Sequence, residues 1–297
     1  MNHINFFGCK YPLVAASMNQ VSDTNLAIAC HQAGIMPSIS VYTYSPYNGD
    51  LNYQEVESEL KRFQDITGTN KIIVTVSISH MLSLPFLNLA RNCKIEYIET
   101  VADDEKFPSE HSKEIYFELK RASVKFIPKV ISSLTVNPML MDAVIFKKKE
   151  GAGRSFDSID GDKEIQEIRN KFPSLPLIVS GGISTSCQIK SYLHQGCIAV
   201  AIGTLFAAAE ESRLSKETKL KMIESSYRDI TRLSNGAKQN ALIFKELSDK
   251  DDFNNTNSLI KGIHDPSTGH VFAGKGIDNI KSIRPIADIV QELVEGI

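Results

Sequence analysis

Two glycine turns are the first features of this sequence that could do chemistry. Ser180-Gly181-Gly182-Ile183-Ser184 and Gly203-Thr204 each follow a short run of β-branched and aliphatic residues. Glycine has no Cβ, so backbone amides at such turns approach an oxyanion closely, and a helix that starts there adds the positive end of its dipole. A single Gly-Gly pair is more simply read as a tight turn. Two such turns after successive strands read as a phosphate cradle made of Ser180, Gly181, Gly182, Gly203 and Thr204. Lys129 lies in an apolar run, Pro128-Lys129-Val130-Ile131. A buried unpaired charge is costly, so Lys129 is either a lysine that snorkels to water or a cation for an anionic ligand. Arg154 ends Lys149-Glu150-Gly151-Ala152-Gly153-Arg154. Its planar fork suits a planar anion, and the small residues before it let a flat ligand come near. A solvated arginine on a loop is the competing reading. Met18, in Ala16-Ser17-Met18, reads first as core filler. Ser77 and His80 follow the third apolar run, where they could face the same end of a sheet.

Other chemistries are excluded by what is missing. The five cysteines, Cys9, Cys30, Cys93, Cys187 and Cys197, form no CxxC pair, and the seven histidines show no HxH or HExxH spacing. No metal centre or disulfide framework is expected. The net charge of −2 gives no pull toward nucleic acid or an anionic membrane. The one basic block, Lys147-Lys148-Lys149, reads as a solvated loop. The longest apolar stretch, about 198–209, falls short of the roughly 18–20 residues of a membrane span. The first residues lack the pattern of a signal peptide. The expectation is a cytoplasmic protein that meets small molecules, with oligomerisation left open.

These residues need a frame that brings strand ends together. Eight short apolar runs recur: Pro12–Ala16, Ile35–Ser40, Ile72–Ile78, Ile95–Glu99, Lys125–Ile131, Asp142–Phe146, Leu175–Ser180 and Cys197–Ile202. Continuous apolar runs of that length suit parallel strands buried on both faces. Amphipathic stretches alternate with them. Leu51–Thr67 has Leu51, Val56, Leu60, Phe63 and Ile66 spaced for one face and ends at Gly68, 163–172 ends before Pro173, and Ser186–Gln195 ends at Gly196. The connection 132–141 is only weakly helical. Eight strand–helix units predict an α/β protein of the (β/α)8 TIM barrel class, with function at the C-terminal ends of the strands. The expected organisation is a barrel over 1–209, a helical insertion or lid over 210–260, and a loop with a last helix, 261–297, returning to the barrel.

The same residues carry a family resemblance that spans nearly the whole chain. Tyr11-Pro12-Leu13-Val14-Ala15-Ala16-Ser17-Met18, the Pro128–Ser133 segment, Pro176–Ile183, Ala201-Ile202-Gly203-Thr204-Leu205-Phe206 and Phe272-Ala273-Gly274-Lys275-Gly276 together resemble nitronate monooxygenases, also called 2-nitropropane dioxygenases. The resemblance implies FMN as cofactor. Its phosphate would lie on Gly181, Gly182, Gly203 and Thr204, its ring near Ala16, Ser17 and Met18, and Lys129 at its N1/C2-oxygen edge. The family's strand-three asparagine aligns best with Ser77.

The sequence departs from the family after strand six. Where the family has a histidine that serves as base, this chain has Arg154, which stays protonated and cannot be a base. The family's arginine after the second glycine turn is Leu205 here. A neutral nitroalkane needs a base to lose its carbon-bound proton, whereas a nitronate has already lost it. The expected function is therefore an FMN-dependent oxidoreductase, a nitronate monooxygenase-like enzyme that oxidises a small anionic substrate with O2. The alternatives are an NAD(P)H-dependent enzyme similar to the flavin enoyl-ACP reductases and a non-catalytic FMN-binding barrel. An inosine-monophosphate dehydrogenase-like barrel ranks last, because no cysteine stands between Cys93 and Cys187 to act as its nucleophile.

Overall fold

Eight parallel strands close into a barrel, each in turn followed by helical or loop segments on the outside. The computed structural model describes residues 6–45, 51–100, 110–153, 160–234, 240–244, 261–269 and 271–297. The barrel strands are β1 (Leu13–Ala15), β2 (Ser38–Ser40), β3 (Ile73–Val76), β4 (Tyr97–Thr100), β5 (Lys125–Phe126) with β6 (Lys129–Val130), β7 (Val144–Lys147), β8 (Leu177–Ser180) and β9 (Ala199–Ile202). They form two arcs, β1-β9-β8-β7-β6 and β2-β3-β4-β5. One seam is closed by the bridge between Val14 and Met36. The other lies inside barrel strand five. Ile127 N–H donates to Ile98 O (2.8 Å), and Ile145 N–H donates to Pro128 O (3.0 Å). Barrel strand five thus changes partner at Pro128, a residue with no N–H to give to a ladder.

The apolar runs are buried on both faces because the barrel has two kinds of neighbour. Val14, Ile73, Tyr97, Ile145, Ile178 and Ala201 pack together inside it. The alternate residues pack outward. Leu13, Val144, Leu177 and Val200 meet the helices α1 (Thr24–Gln32), α6 (Gly161–Lys171) and α7 (Ser186–His194). Val74 and Ile98 meet α2 (Tyr53–Thr67), α4 (Leu84–Asn92) and α5 (Glu110–Arg121) on the other side. Helix stops agree with the sequence: Gly68 adopts φ 70° after α2, and Gly196 adopts φ 87° after α7. The weak connection 132–141 contains a single 3-10 turn, Ser133–Thr135.

The segment expected to be a helical insertion is mixed. Helix α9 (Lys216–Glu224) is followed by an antiparallel pair, β10 (Ile230–Ser234) and β11 (Asn240–Phe244). The two strands pair residue for residue, from Ile230 with Phe244 to Ser234 with Asn240, so each is settled by its partner. Helix α10 (Ile286–Leu293) then packs its Ile286, Ile289, Val290 and Leu293 back onto the barrel's helical layer. No described helix is long and apolar enough to cross a membrane.

Candidate active site

Side-chain alternation decides which residues line the barrel mouth. Ile73, Tyr97, Ile145 and Ile178 point inward, so the residues two further along each strand point inward too, one layer nearer the C-terminal end. Those residues are Thr75, Glu99, Lys147 and Ser180, and Lys129 follows Ile127 by the same step. An apolar barrel floor therefore gives way to a polar ring on successive strands. The register pairs Thr75 with Glu99 and Lys147 with Ser180.

Lys129 is part of this ring and is not a snorkelling surface residue. Its side chain is 12% exposed, and its Nζ lies 2.5 Å from Oε1 of Glu99, whose side chain is fully buried. Neither Glu99 oxygen takes a hydrogen bond from any described residue, and Thr75 Oγ1 is likewise buried without a partner. Among the described residues Lys129 is the partner that compensates the buried carboxylate. Sequence reasoning missed Glu99. The signal was the one that marked Lys129: a charge inside an apolar strand run.

The first and eighth barrel strands bring their residues into contact. Ala16 N–H donates to Ile202 O (2.9 Å). A Cβ on Gly203 would lie 3.5 Å from the Ala16 methyl and 3.6 Å from Met18 Sδ. Ser17 Oγ is buried with no partner among the described residues. Met18 N–H donates to Ser22 Oγ (2.9 Å), which fixes the turn that presents Ser17.

The two glycine turns differ in what they leave free. Thr185 caps α7 with a capping box, and Gln188 Oε1 accepts from the amides of Ser184 (2.9 Å) and Thr185 (3.2 Å). The turn after β8 thus satisfies much of its own backbone. Gly203 starts α8 (Thr204–Ala207) with no side-chain cap. Its first-turn amides are better placed to receive an anion. Gly181 (φ 104°) and Gly182 (φ 72°) also have a packing reason to be glycine: a Cβ on Gly181 would stand 2.7 Å from Lys148 O, and one on Gly182 2.8 Å from Glu150 Cβ. Ser180 ends β8 and is buried, its carbonyl accepting from Lys148 N–H (2.8 Å). Thr204 Oγ1 accepts from Gly274 N–H (3.1 Å), and a Cβ on Gly182 would stand 3.4 Å from Lys275 Cβ, so the C-terminal loop lies on both turns.

Two of the three lysines of the basic block, Lys147 and Lys148, turn inward, while Lys149 is exposed. Lys147 donates to Ala152 O (2.7 Å), and Lys148 donates to Tyr192 Oη (2.5 Å). Burial opposes the charge on Lys148, but Tyr192, Glu150 and Asp162 outweigh it and hold its pKa above the ordinary lysine value. Ser77 caps a short helical turn, α3 (Ile78–Met81), and its Oγ lies 2.9 Å from His80 Nδ1. Tyr42 Oη accepts from Ser77 N–H (2.9 Å) and lies 3.1 Å from the same ring nitrogen. Tyr42, from the Tyr/Pro-rich segment after barrel strand two, thereby ties that wall of the mouth to barrel strand three. Arg154 lies outside the described residues. Among the described residues no cluster of His, Cys, Asp or Glu could hold a metal, and none of the five cysteines is joined in a disulfide.

A model of the nitronate monooxygenase family matches residues 2–296. The chain belongs to the nitronate monooxygenase family. Members of the nitronate monooxygenase family are flavin-dependent oxidoreductases. Solved structures with this barrel include FabK from Thermotoga maritima, with a TM-score of 0.80 and 19% identity over 97% of this chain and 93% of that one. A nitroalkane oxidase from Streptomyces ansochromogenes gives 0.76 and 19% over 97% and 95%. The enoyl reductase domain of MlnA from the macrolactin biosynthesis cluster of Bacillus amyloliquefaciens gives 0.70 and 13% over 97% and 94%. At these identities the likeness shows the (β/α)8 fold that nitronate monooxygenases share with such enzymes, and leaves the reaction to the site.

Proposed function

We propose that this chain binds FMN at the C-terminal mouth of its barrel and oxidises small preformed anions of the nitronate type with O2. The observation that carries the reading is the meeting of Ala16, Met18 and Gly203 at one edge of the mouth, with the buried, unpartnered Ser17 hydroxyl beside them. An orphaned buried hydroxyl costs free energy unless a ligand completes it. Ser17 would take a flavin hydrogen bond, Gly203 and Thr204 the phosphate with Gly181 and Gly182, and Lys129 the pyrimidine edge. Ser77 would border the ring on the side of barrel strand three. FMN, when bound, supplies a two-electron carrier between the organic substrate and O2. Arg154 would hold the anion by its planar fork and would leave neutral nitroalkanes without a base.

The test begins with the visible spectrum of the purified protein and the cofactor released on heating. Turnover of a nitronate and of its parent nitroalkane at neutral pH is then compared. FMN release with turnover confined to the nitronate supports the reading. A colourless protein that cannot be reconstituted with FMN, or equal turnover of the two forms, sinks it. Rapid flavin bleaching by NADH or NADPH without oxygen would instead assign a reductase.

A further inference from the structure

The proposed function gives no role to Glu99, a buried carboxylate of the mouth. Its side chain is fully buried on β4, one strand away from Lys129 in the barrel, and points into the polar ring beside Thr75. A carboxylate in such a place is expensive unless a charge compensates it. The compensation is Lys129, at 2.5 Å. The converse also follows: the ammonium of Lys129 faces the mouth with its charge largely cancelled. Among the described residues the other inward cation of the ring, Lys147, is turned to the carbonyl of Ala152.

We propose that Glu99 is a positioning residue that sets the charge Lys129 presents to the flavin, and so holds the flavin harder to reduce than a site with a bare lysine would. The inference rests on the FMN reading above. A lone cation near the pyrimidine edge stabilises the reduced, anionic ring. A neutral ion pair does so far less, because the fields of its two charges oppose each other at any distance larger than their separation.

The experiment measures the midpoint potential of FMN bound to the full-length wild type, to Glu99→Gln and to the double variant Glu99→Gln/Lys129→Met. Releasing the lysine charge in Glu99→Gln is expected to favour reduction tenfold or more, about 30 mV upward for a two-electron couple. The double variant has lost both charges and is expected to stay within threefold of the wild type. A Glu99→Gln protein that binds FMN with an unmoved or lowered potential overturns the proposal. If Glu99→Gln does not fold, the double variant decides, since neutral replacement of a buried pair is commonly tolerated. There, a loss of tenfold or more relative to the wild type would mean that Lys129 acts as a bare cation, and would overturn the proposal. A wild type that takes up no FMN overturns the cofactor reading and this inference together, which separates the two failures.

Discussion

The amide of Lys275 donates to the carbonyl of Glu150 across 3.0 Å, and Gly274 passes beneath the same carbonyl. The C-terminal loop is thereby fastened to the loop after β7 through backbone. A Cβ on Gly274 would stand 2.5 Å from Glu150 O and 2.8 Å from Ala152 N. Both contacts are with backbone, so neither yields without moving a loop. Gly274→Ala is expected to cost about 1–3 kcal/mol, the usual range for overpacking a close contact. Urea unfolding would show it as a lower midpoint with an unchanged slope. FMN affinity should fall as well, because Gly274 N–H also reaches Thr204 Oγ1. A variant with the wild-type midpoint would mean that the loop moves freely off Glu150.

Ser17→Ala separates the cofactor's demands from the fold's. The Ser17 hydroxyl is buried with no partner among the described residues, so its removal should leave the unfolding midpoint of the flavin-free protein unchanged or slightly raised. If the hydroxyl bonds to FMN, affinity should drop by roughly five- to tenfold, the equivalent of one ordinary hydrogen bond of about 1 kcal/mol. Fluorescence titration with FMN measures it. An unchanged affinity would remove Ser17 from the site.

Tyr42→Phe should loosen the wall made by barrel strands two and three. The lost hydroxyl accepts from Ser77 N–H and faces His80, and both partners are half-buried. Stranding that amide should cost about 1–3 kcal/mol. Hydrogen exchange should quicken at Ser77 and at the first amides of α3. Protection equal to wild type there would show that another group takes over the amide.

Asp23 gives a pH dependence with a definite sign. Its carboxylate caps α1 by accepting from Leu26 N–H at 3.0 Å, yet it is buried. Desolvation raises its pKa above the ordinary aspartate value, and this outweighs the Leu26 hydrogen bond and the nearby Arg213. The folded state therefore binds a proton more readily than the unfolded one. Asp23's contribution is most favourable below the unfolded pKa and is lost as pH rises through the folded pKa. Asparagine caps a helix as well as aspartate does and carries no charge. Asp23→Asn is expected to be neutral or stabilising at pH 7, with no gain at acid pH. Denaturant midpoints measured from about pH 4 to 7 would decide it, and a clear loss at pH 7 would mean that the charge itself is needed.

The sequence by itself determined the eight strands and most of the helices between them, because those signals are local. A run such as Leu177-Ile178-Val179 is apolar on both faces wherever it is placed, and Gly68 and Gly196 end helices by the freedom of their own backbones. That the glycine turns and Lys129 stand at the mouth was legible for the same reason: each follows a strand, and the barrel puts all strand ends at one mouth. The antiparallel pair β10–β11 was not legible as such, since a short stretch mixing polar and β-branched residues is settled by its partner strand. The structure also decided that Lys147 and Lys148 turn inward to Ala152 and Tyr192, and that Gly181 must lie flush against Lys148. Above all it decided that Glu99 faces Lys129. Each charge is visible inside its own apolar run, but the pairing of two charges on different strands has no local signature. Their pairing exists only because closure of the barrel and the alternation of side chains set both into the same buried layer, where each makes the other's burial affordable.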